Sequence, residues 1–425
     1  MVQKMRKMKD SGIEWIGEIP EGWKIGQIGQ LYSERRTKVS DKDYPPLSVT
    51  MKGILPQLST AAKTDAHDDR KLVCKGDFAI NSRSDRRGSC GISEQDGSIS
   101  LINTVLQPRG EMNPGYYNWL FHTSMFADEF YKWGHGIVDD LWTTGWSDMK
   151  KIGVPVPSKC EQKQLAEHLN VECSHIDSIL SKTRASIEEY KKLKQAIITQ
   201  AVTKGVRGER EMKDSGVEWI GEIPREFDPV QLKFFCKLIT DGTHFSPTIV
   251  ENGWPYITAG DVHGIGLDYN SAKRISEEDF QLLVAQGCQP LKGDVLLVKD
   301  GATTGRVGFV DSDTPCVILS SVAMLRPADN TDGHYLMYLL ASDFLQKQIL
   351  VSMAGSAMPR TTLTKLTKYI GLLPPLHEQK EIANHLDAKC AEIDKLIAKK
   401  EQLVKELESY KKSLIYEVVT GKREV

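Results

Sequence analysis

Several features that would classify the chain quickly are missing from it. No apolar run approaches the roughly 20 residues that span a bilayer, so no membrane-crossing helix is expected. The start, MVQKMRKMKD, is basic, but no apolar stretch with a small-residue cleavage site follows it. That argues against a secretory signal and for the cytoplasm. The eight cysteines are scattered, with no CxxC pair and no Cys/His cluster at zinc spacing. Neither a disulfide framework nor a metal site is therefore expected. Cys74, Cys90, Cys160, Cys173, Cys236, Cys288, Cys316 and Cys390 read as reduced, mostly buried thiols. A basic excess is missing too, since 55 Lys and Arg stand against 57 Asp and Glu for a net charge of -2. Proteins held to DNA by phosphate neutralisation usually carry spare positive charge. Any nucleic-acid contact must then rest on local patches, with partners supplying much of an electrostatic clamp.

Catalytic machinery is equally scarce. The Asn/Asp-Pro-Pro-aromatic segment that amino-methyltransferases use against a flipped base does not occur. Tyr44-Pro45-Pro46-Leu47 and Leu373-Pro374-Pro375-Leu376 do not fit it. Gly301 to Gly308 (GATTGRVG) lacks the Lys-Ser/Thr ending of a phosphate-binding loop. HExxH and GxSxG are absent. Isolated pairs such as Asp139-Asp140 read as solvated surface. No catalytic residue is expected.

What is present is a duplication. Met8 to Pro20 (MKDSGIEWIGEIP) returns 204 residues later as Met212 to Pro224, changed only where Ile13 becomes Val217. Glu161 to Leu169 (EQKQLAEHL) returns 217 residues later as Glu378 to Leu386 (EQKEIANHL). The 217-residue register holds without a gap to Val202-Thr203 and Val419-Thr420. It also links Lys75-Gly76-Asp77 with Lys292-Gly293-Asp294, and Gly88 and Gly91 with Gly305 and Gly308. Each half is a short motif, a variable region and a helix. Lys204 to Glu211 (KGVRGERE) reads as the linker.

The variable regions read as mixed α/β. GDFAI and GDVLLV are short apolar runs entered through a Lys-Gly-Asp turn, which suits strands. Ser276 reads as the N-cap of a short helix with acidic residues in its first turn. Tyr116 to Tyr131 and Gly333 to Leu350 have helical spacing. The repeated segments Glu161–Val202 and Glu378–Val418 contain no Pro or Gly, and each follows a proline-rich stop. Ser158 with Glu161 has capping-box spacing; the second copy lacks that serine and must be capped otherwise. Apolar stripes run through Ile176, Ile179, Tyr190, Leu193 and Ile197, and through Ile393, Leu396, Leu403, Leu407, Tyr410 and Leu414. Helices of over 40 residues, roughly 60 Å long, with one apolar stripe each want a partner. The obvious partner is the other copy, antiparallel if a two-fold axis relates the halves. Cys173 and Cys390 sit at equivalent places and read as core packing.

Two unlike domains on two like helices resemble the specificity subunits of type I restriction–modification systems over nearly the whole chain. The motifs carrying the resemblance are EWIGEIPEGWK (Glu14 to Lys24) with its copy EWIGEIPREFD (Glu218 to Asp228), and the helix openings PVPSKCEQ and LPPLHEQ. The block from TDGTHFSP (Thr240 to Pro247) through KGDVLLVKDGATTGRVGFV adds to it. Phe227 replaces Trp23 in the second entry motif. The resemblance implies an α+β fold, with two mixed α/β target-recognition domains joined by two long helices in an antiparallel coiled coil and a pseudo-two-fold repeat. The expected boundaries are 1–156 for the first recognition domain, 157–204 for the first helix, 205–373 for the linker and second domain, and 374–425 for the second helix. It further implies a non-catalytic subunit reading a bipartite asymmetric target in double-stranded DNA, one half per domain. The helices would set the spacer and dock two modification subunits, and restriction subunits would join that core. No cofactor is expected on this chain; S-adenosylmethionine, ATP and Mg belong to the partners. The alternatives are a stand-alone coiled-coil DNA-binding regulator or a recognition subunit of another restriction–methylation class.

Base-reading candidates come from the internal alignment. Between the shared strand and the shared glycines lie Asn81 to Arg87 (NSRSDRR) and Val298 to Thr304 (VKDGATT), a common frame with unlike loops. Arg83, Ser84, Arg86 and Arg87 on one side, and Lys299, Thr303, Thr304 and Arg306 on the other, are the candidates. His244, after a Thr-Asp-Gly turn, joins them. Arg35-Arg36-Thr37-Lys38 and Met358-Pro359-Arg360-Thr361, with Arg360, are weaker candidates that suit solvent or phosphate positioning better than base reading. Trp142 could stack or contact a thymine methyl but reads as buried.

Overall fold

The computed structural model describes residues 6–57, 68–110, 112–136, 142–353 and 359–425. They form two compact units: residues 1–184 with 402–425, and 185–401. Each unit contains a variable region, one half of each long helix and one copy of the entry motif. Among the described residues, no helix is long and apolar enough to cross a membrane.

The entry motif folds as a β-hairpin in both copies. Met8–Asp10 pairs with Glu18–Pro20, and Met212–Asp214 with Glu222–Pro224 in the same register. Asp10 accepts the Gly12 N–H and Asp214 the Gly216 N–H, a local Asx turn closed by a glycine at φ near 70°. Behind each hairpin sits an aromatic latch. Arg6 lies over the Trp23 ring, and its guanidinium pairs with Glu161 on the first turn of the first long helix. In the other unit Arg210 lies 5.1 Å over Phe227 and pairs with Glu378 at 2.5 Å. Trp23 Nε1 also donates to Glu161; Phe227 has no such donor, so Arg210 and Glu378 carry that copy.

The variable regions are antiparallel-rich sheets, because their short runs alternate with Gly and Asp turns. In the first unit Phe78–Asn81 is central, between Cys90–Ile92 and Asn103–Pro108, with Tyr32–Glu34 outside. In the second, Val295–Val298 lies between Val307–Phe309 and Val322–Pro327, flanked by Gly264–Ile265 and Cys236–Asp241. Both central strands are wholly buried. Helices Pro114–Phe121 and Ser124–Lys132 pack in one core, Gly333–Ala341 and Asp343–Met353 in the other. The helix Glu277–Ala285, capped by Ser276, has no counterpart before Lys75 among the described residues of the first unit.

The long helices run Lys159–Lys204 and Leu376–Val419. Ser158 and Glu161 exchange hydrogen bonds as a capping box at the first start. At the second, Gln379 Nε2 donates to the Pro374 carbonyl, as Gln162 does to Pro157. Within the first unit, Asp177 meets Lys411 at 2.6 Å and Arg184 meets Glu408, so rising numbers on one helix face falling numbers on the other. Within the second, Lys194 meets Asp394 at 2.6 Å and the Lys400 ammonium lies over Tyr190. Asp177–Lys411 and Asp394–Lys194 are one ion pair written twice.

The seam corrects the sequence stripe. In the first unit it is Leu169, Cys173, Ile176, Leu180 and Thr183 against Val404, Leu407, Lys411, Leu414 and Val418, buried or half-buried. In the second unit each position is taken by its 217-register equivalent: Leu386, Cys390, Ile393, Ile397 and Lys400 against Ile187, Tyr190, Lys194, Ile197 and Ala201. Ile179, Leu193, Leu396, Leu403 and Tyr410 are exposed instead. The true seam advances strictly by alternating threes and fours, which keeps one face toward a partner helix. Choosing the next apolar residue slipped off it by one position.

Candidate nucleic-acid interface

In each unit the loop after the central strand is tied to the segment that precedes the final strand before the long helix. Arg83 bridges Thr143, and Asp300 bridges Arg360. The Ser84 N–H donates to the Trp142 carbonyl at 2.9 Å; the Gly301 N–H donates to that of Pro359 at 3.0 Å. The Thr144 N–H donates to Ser82 O, and the Thr361 N–H to Lys299 O, both at 2.9 Å. Every one of these pairs obeys the 217-residue register. The internal alignment therefore extends to Trp142-Thr143-Thr144 against Pro359-Arg360-Thr361. Thr144 and Thr361 are fully buried, so this two-strand platform is fixed by core contacts while its neighbours face outward.

The platforms are alike and their side chains are not. On the first, Arg83 and Arg86 flank Asp85: Arg83 Nε lies 3.2 Å from it, and Arg86 is 69% exposed. Ser84 is half-buried in the single helical turn Ser84–Arg86. Arg87 is more constrained than its sequence position suggests, pairing with Asp128 at 3.1 Å and lying 5.4 Å over Tyr131. Thr143 is exposed and Trp142 half-buried. On the second, Thr303 is half-buried, and Thr304 Oγ1 donates to Gly301 O and Pro359 O. Arg306 is half-buried, with Nη1 3.4 Å from the Ala259 carbonyl. His244 and Phe245 are exposed beyond the strand that ends at Asp241.

Lys299 is the residue the sequence misplaces. Its side chain is 3% exposed, with the ammonium 2.9 Å from Asp300 and 3.3 Å from Asp241. It has no exposed charge to present, because the two carboxylates draw it inward. Arg360, by contrast, is 59% exposed and holds Asp300 through Nε at 2.9 Å. Asp241 and Asp300 were missed as participants, and only the register linking Arg83 to Asp300 pointed there. Met358, Asp139 and Asp140 lie outside the described residues. The weaker cluster is largely neutralised: Arg35 binds Asp77, Arg36 binds Glu34 and Lys38 binds Asp69.

Burial pushes the Cys173 thiol up to about 11 and raises those of Cys90 and Cys390, so these buried sulfurs are weak nucleophiles. Among the described residues, no group of three or more His, Cys, Asp or Glu side chains is arranged to hold a metal ion. What the platforms offer is planar cations and hydroxyls on a hydrogen-bonded backbone, the chemistry of hydrogen bonding to base edges and phosphates.

Residues 224–406 match the type I restriction modification DNA specificity domain. The chain is 26% identical over 428 residues to the type I restriction enzyme MjaVIII specificity subunit of Methanocaldococcus jannaschii, covering 95% of this chain and 93% of that one. Its fold is similar to a chain from a structural study of complex assembly and conformational transition of the type I R-M system. The TM-score is 0.72 at 14% identity, over 94% of this chain and 98% of that one. It is also similar to the HsdS subunit from Thermoanaerobacter tengcongensis, with TM-score 0.51 at 17% identity, over 95% and 98%. Residues 224–406 thus match the DNA specificity domain, and nearly the whole chain is similar to type I restriction–modification specificity subunits.

Proposed function

We propose that the chain recognises a bipartite, asymmetric target in double-stranded DNA, one half through each unit, and has no catalytic centre of its own. The observation that carries this reading is the repeated platform. One backbone frame appears twice, tied by the same hydrogen bonds, and bears an arginine cluster in one copy and an Arg/Thr set in the other. Two unlike readers on one scaffold suit two unlike half-sites. The paired helices set the unspecified spacer and dock two modification subunits, and restriction subunits complete the assembly. S-adenosylmethionine binds the modification subunits, which methylate an adenine taken out of the stack. ATP and Mg serve the restriction subunits. The candidate contacts are Arg83, Ser84, Arg86, Arg87, His244, Thr303, Thr304, Arg306 and Arg360, with Lys299 acting from beneath the surface.

Co-expression with the modification subunit, followed by genome-wide mapping of methylated adenines, tests the reading. The expected result is one two-part motif with a fixed gap. A single-part motif, or no motif, would count against it.

A further inference from the structure

Arg360 is held more firmly than an exposed arginine ordinarily is. Its backbone is pinned on both sides. The Pro359 carbonyl accepts from the Gly301 N–H and from Thr304 Oγ1 at 3.2 Å. Thr361 donates its N–H to Lys299 O, and its buried hydroxyl lies 2.6 Å from the Tyr369 hydroxyl. The side chain is ion-paired, with Nε 2.9 Å from Asp300 Oδ1 though not aligned as a hydrogen bond. Asp300 Oδ2 is in turn 2.9 Å from the Lys299 ammonium, which Asp241 approaches from another strand at 3.3 Å. Two carboxylates flank one buried ammonium, and Arg360 supplies the fourth charge that balances the set.

Such a charge network around one buried ammonium adds little to stability, because desolvation of the ammonium offsets much of the Coulombic attraction. What it does well is fix geometry. A guanidinium whose Nε edge faces its charge partner keeps its Nη1/Nη2 fork for a second planar acceptor. Ordering a free arginine side chain at an interface costs rotamer entropy, and a side chain ordered beforehand avoids that cost. Among the base edges of the major groove, guanine alone presents two acceptors, O6 and N7, to such a fork. Adenine opposes it with the N6 amino donor.

We propose that Arg360 is a specificity-determining residue that reads a guanine in the half-site met by the second unit, with Asp300, Lys299 and Asp241 as its positioning residues. This rests on that unit reading DNA. In the first unit Thr143 stands at the equivalent position and Arg83 is tied to Asp85, so the same base is not required in the other half-site.

The test uses the full chain in complex with its modification subunits, presented with a pool of duplexes randomised across both half-sites, at two salt concentrations. The wild-type complex should select guanine at one position that Arg360→Ala and Arg360→Lys both relax, by about ten- to hundredfold. Asp300→Asn keeps the volume, removes the charge that faces Arg360 and should relax the same position less. The other half-site should stay unchanged, which also reports a folded chain. The fork equally fits a phosphate. If Arg360→Ala weakens every sequence alike and lowers the salt slope by about one, Arg360 is a phosphate contact and the inference is wrong. Unchanged preference at every position overturns it as well. A wild-type complex that selects no two-part target defeats the underlying reading and takes this inference with it.

Discussion

Asp77 and Asp294 occupy the same place in the duplicated Lys-Gly-Asp turn, yet each draws its arginine from a different strand neighbourhood. Arg35 Nε lies 2.6 Å from Asp77, while Arg326 grips Asp294 through Nε and Nη2 at 2.9 and 2.8 Å. The Asp294 side chain is 2% exposed. Arg326→Ala would leave a buried, uncompensated carboxylate, so urea unfolding should show a loss of about 3–5 kcal/mol. Replacing both members by leucine should recover most of that loss. Glu161 makes a pH-dependent counterpart. Burial pushes its carboxyl up, but hydrogen bonds from Arg6, Trp23 and Ser158 outweigh burial and hold it below the ordinary value of 4.5. The folded state therefore binds this proton less readily than the unfolded state. The stabilisation is complete above that ordinary value and is lost as pH falls through the lowered one. Glu161→Gln should lower the urea midpoint at neutral pH, and the gap to wild type should close on acidification. A gap that is constant with pH would contradict the latch.

At the scale of the element, the decisive feature is the phase of the helix seam. Ile176 is 5% exposed and belongs to it; Ile179, three residues on, is 45% exposed and does not. Ile176→Ala should cost about 2–4 kcal/mol, the range for a large-to-small change in a packed core. Ile179→Ala should stay within about 0.5 kcal/mol. Equal losses from the two variants would show that the helices pack in another register. Thr183 and Lys400 share one seam position across the repeat. Thr183 turns its hydroxyl back onto the Ile179 carbonyl, and Lys400 lays its ammonium over Tyr190, so neither polar group is left without a partner.

For the whole molecule the net charge of -2 sets the terms of DNA binding. Phosphate neutralisation releases counterions and steepens the dependence of affinity on salt. The outward cations of each platform are few, and several already face carboxylates. The chain alone should bind DNA weakly, with a shallow slope of log affinity against log salt. Addition of the modification subunits should steepen it. A slope for the isolated chain as steep as that of the complex would show that the clamp resides here after all.

The duplication, the strand and helix types, the Ser158 and Ser276 caps and the two unlike loops on one frame were all legible in the sequence. Each depends on local periodicity, turn chemistry or direct self-comparison. The facing direction of individual charges was not. Lys299 and Arg360 look alike as basic residues in polar loops, but Asp241 and Asp300 draw the first inward and leave the second at the surface. Asp241 reaches that site through strand pairing rather than nearness in the chain. The seam followed the same rule, since apolar neighbours such as Ile179 and Leu180 satisfy helical spacing equally and only the partner helix selects between them. The sequence alone determined what the parts are and that they occur twice. Tertiary contact decided which side chains are spent holding the scaffold and which remain for a ligand, because that choice depends on groups brought together from distant parts of the chain.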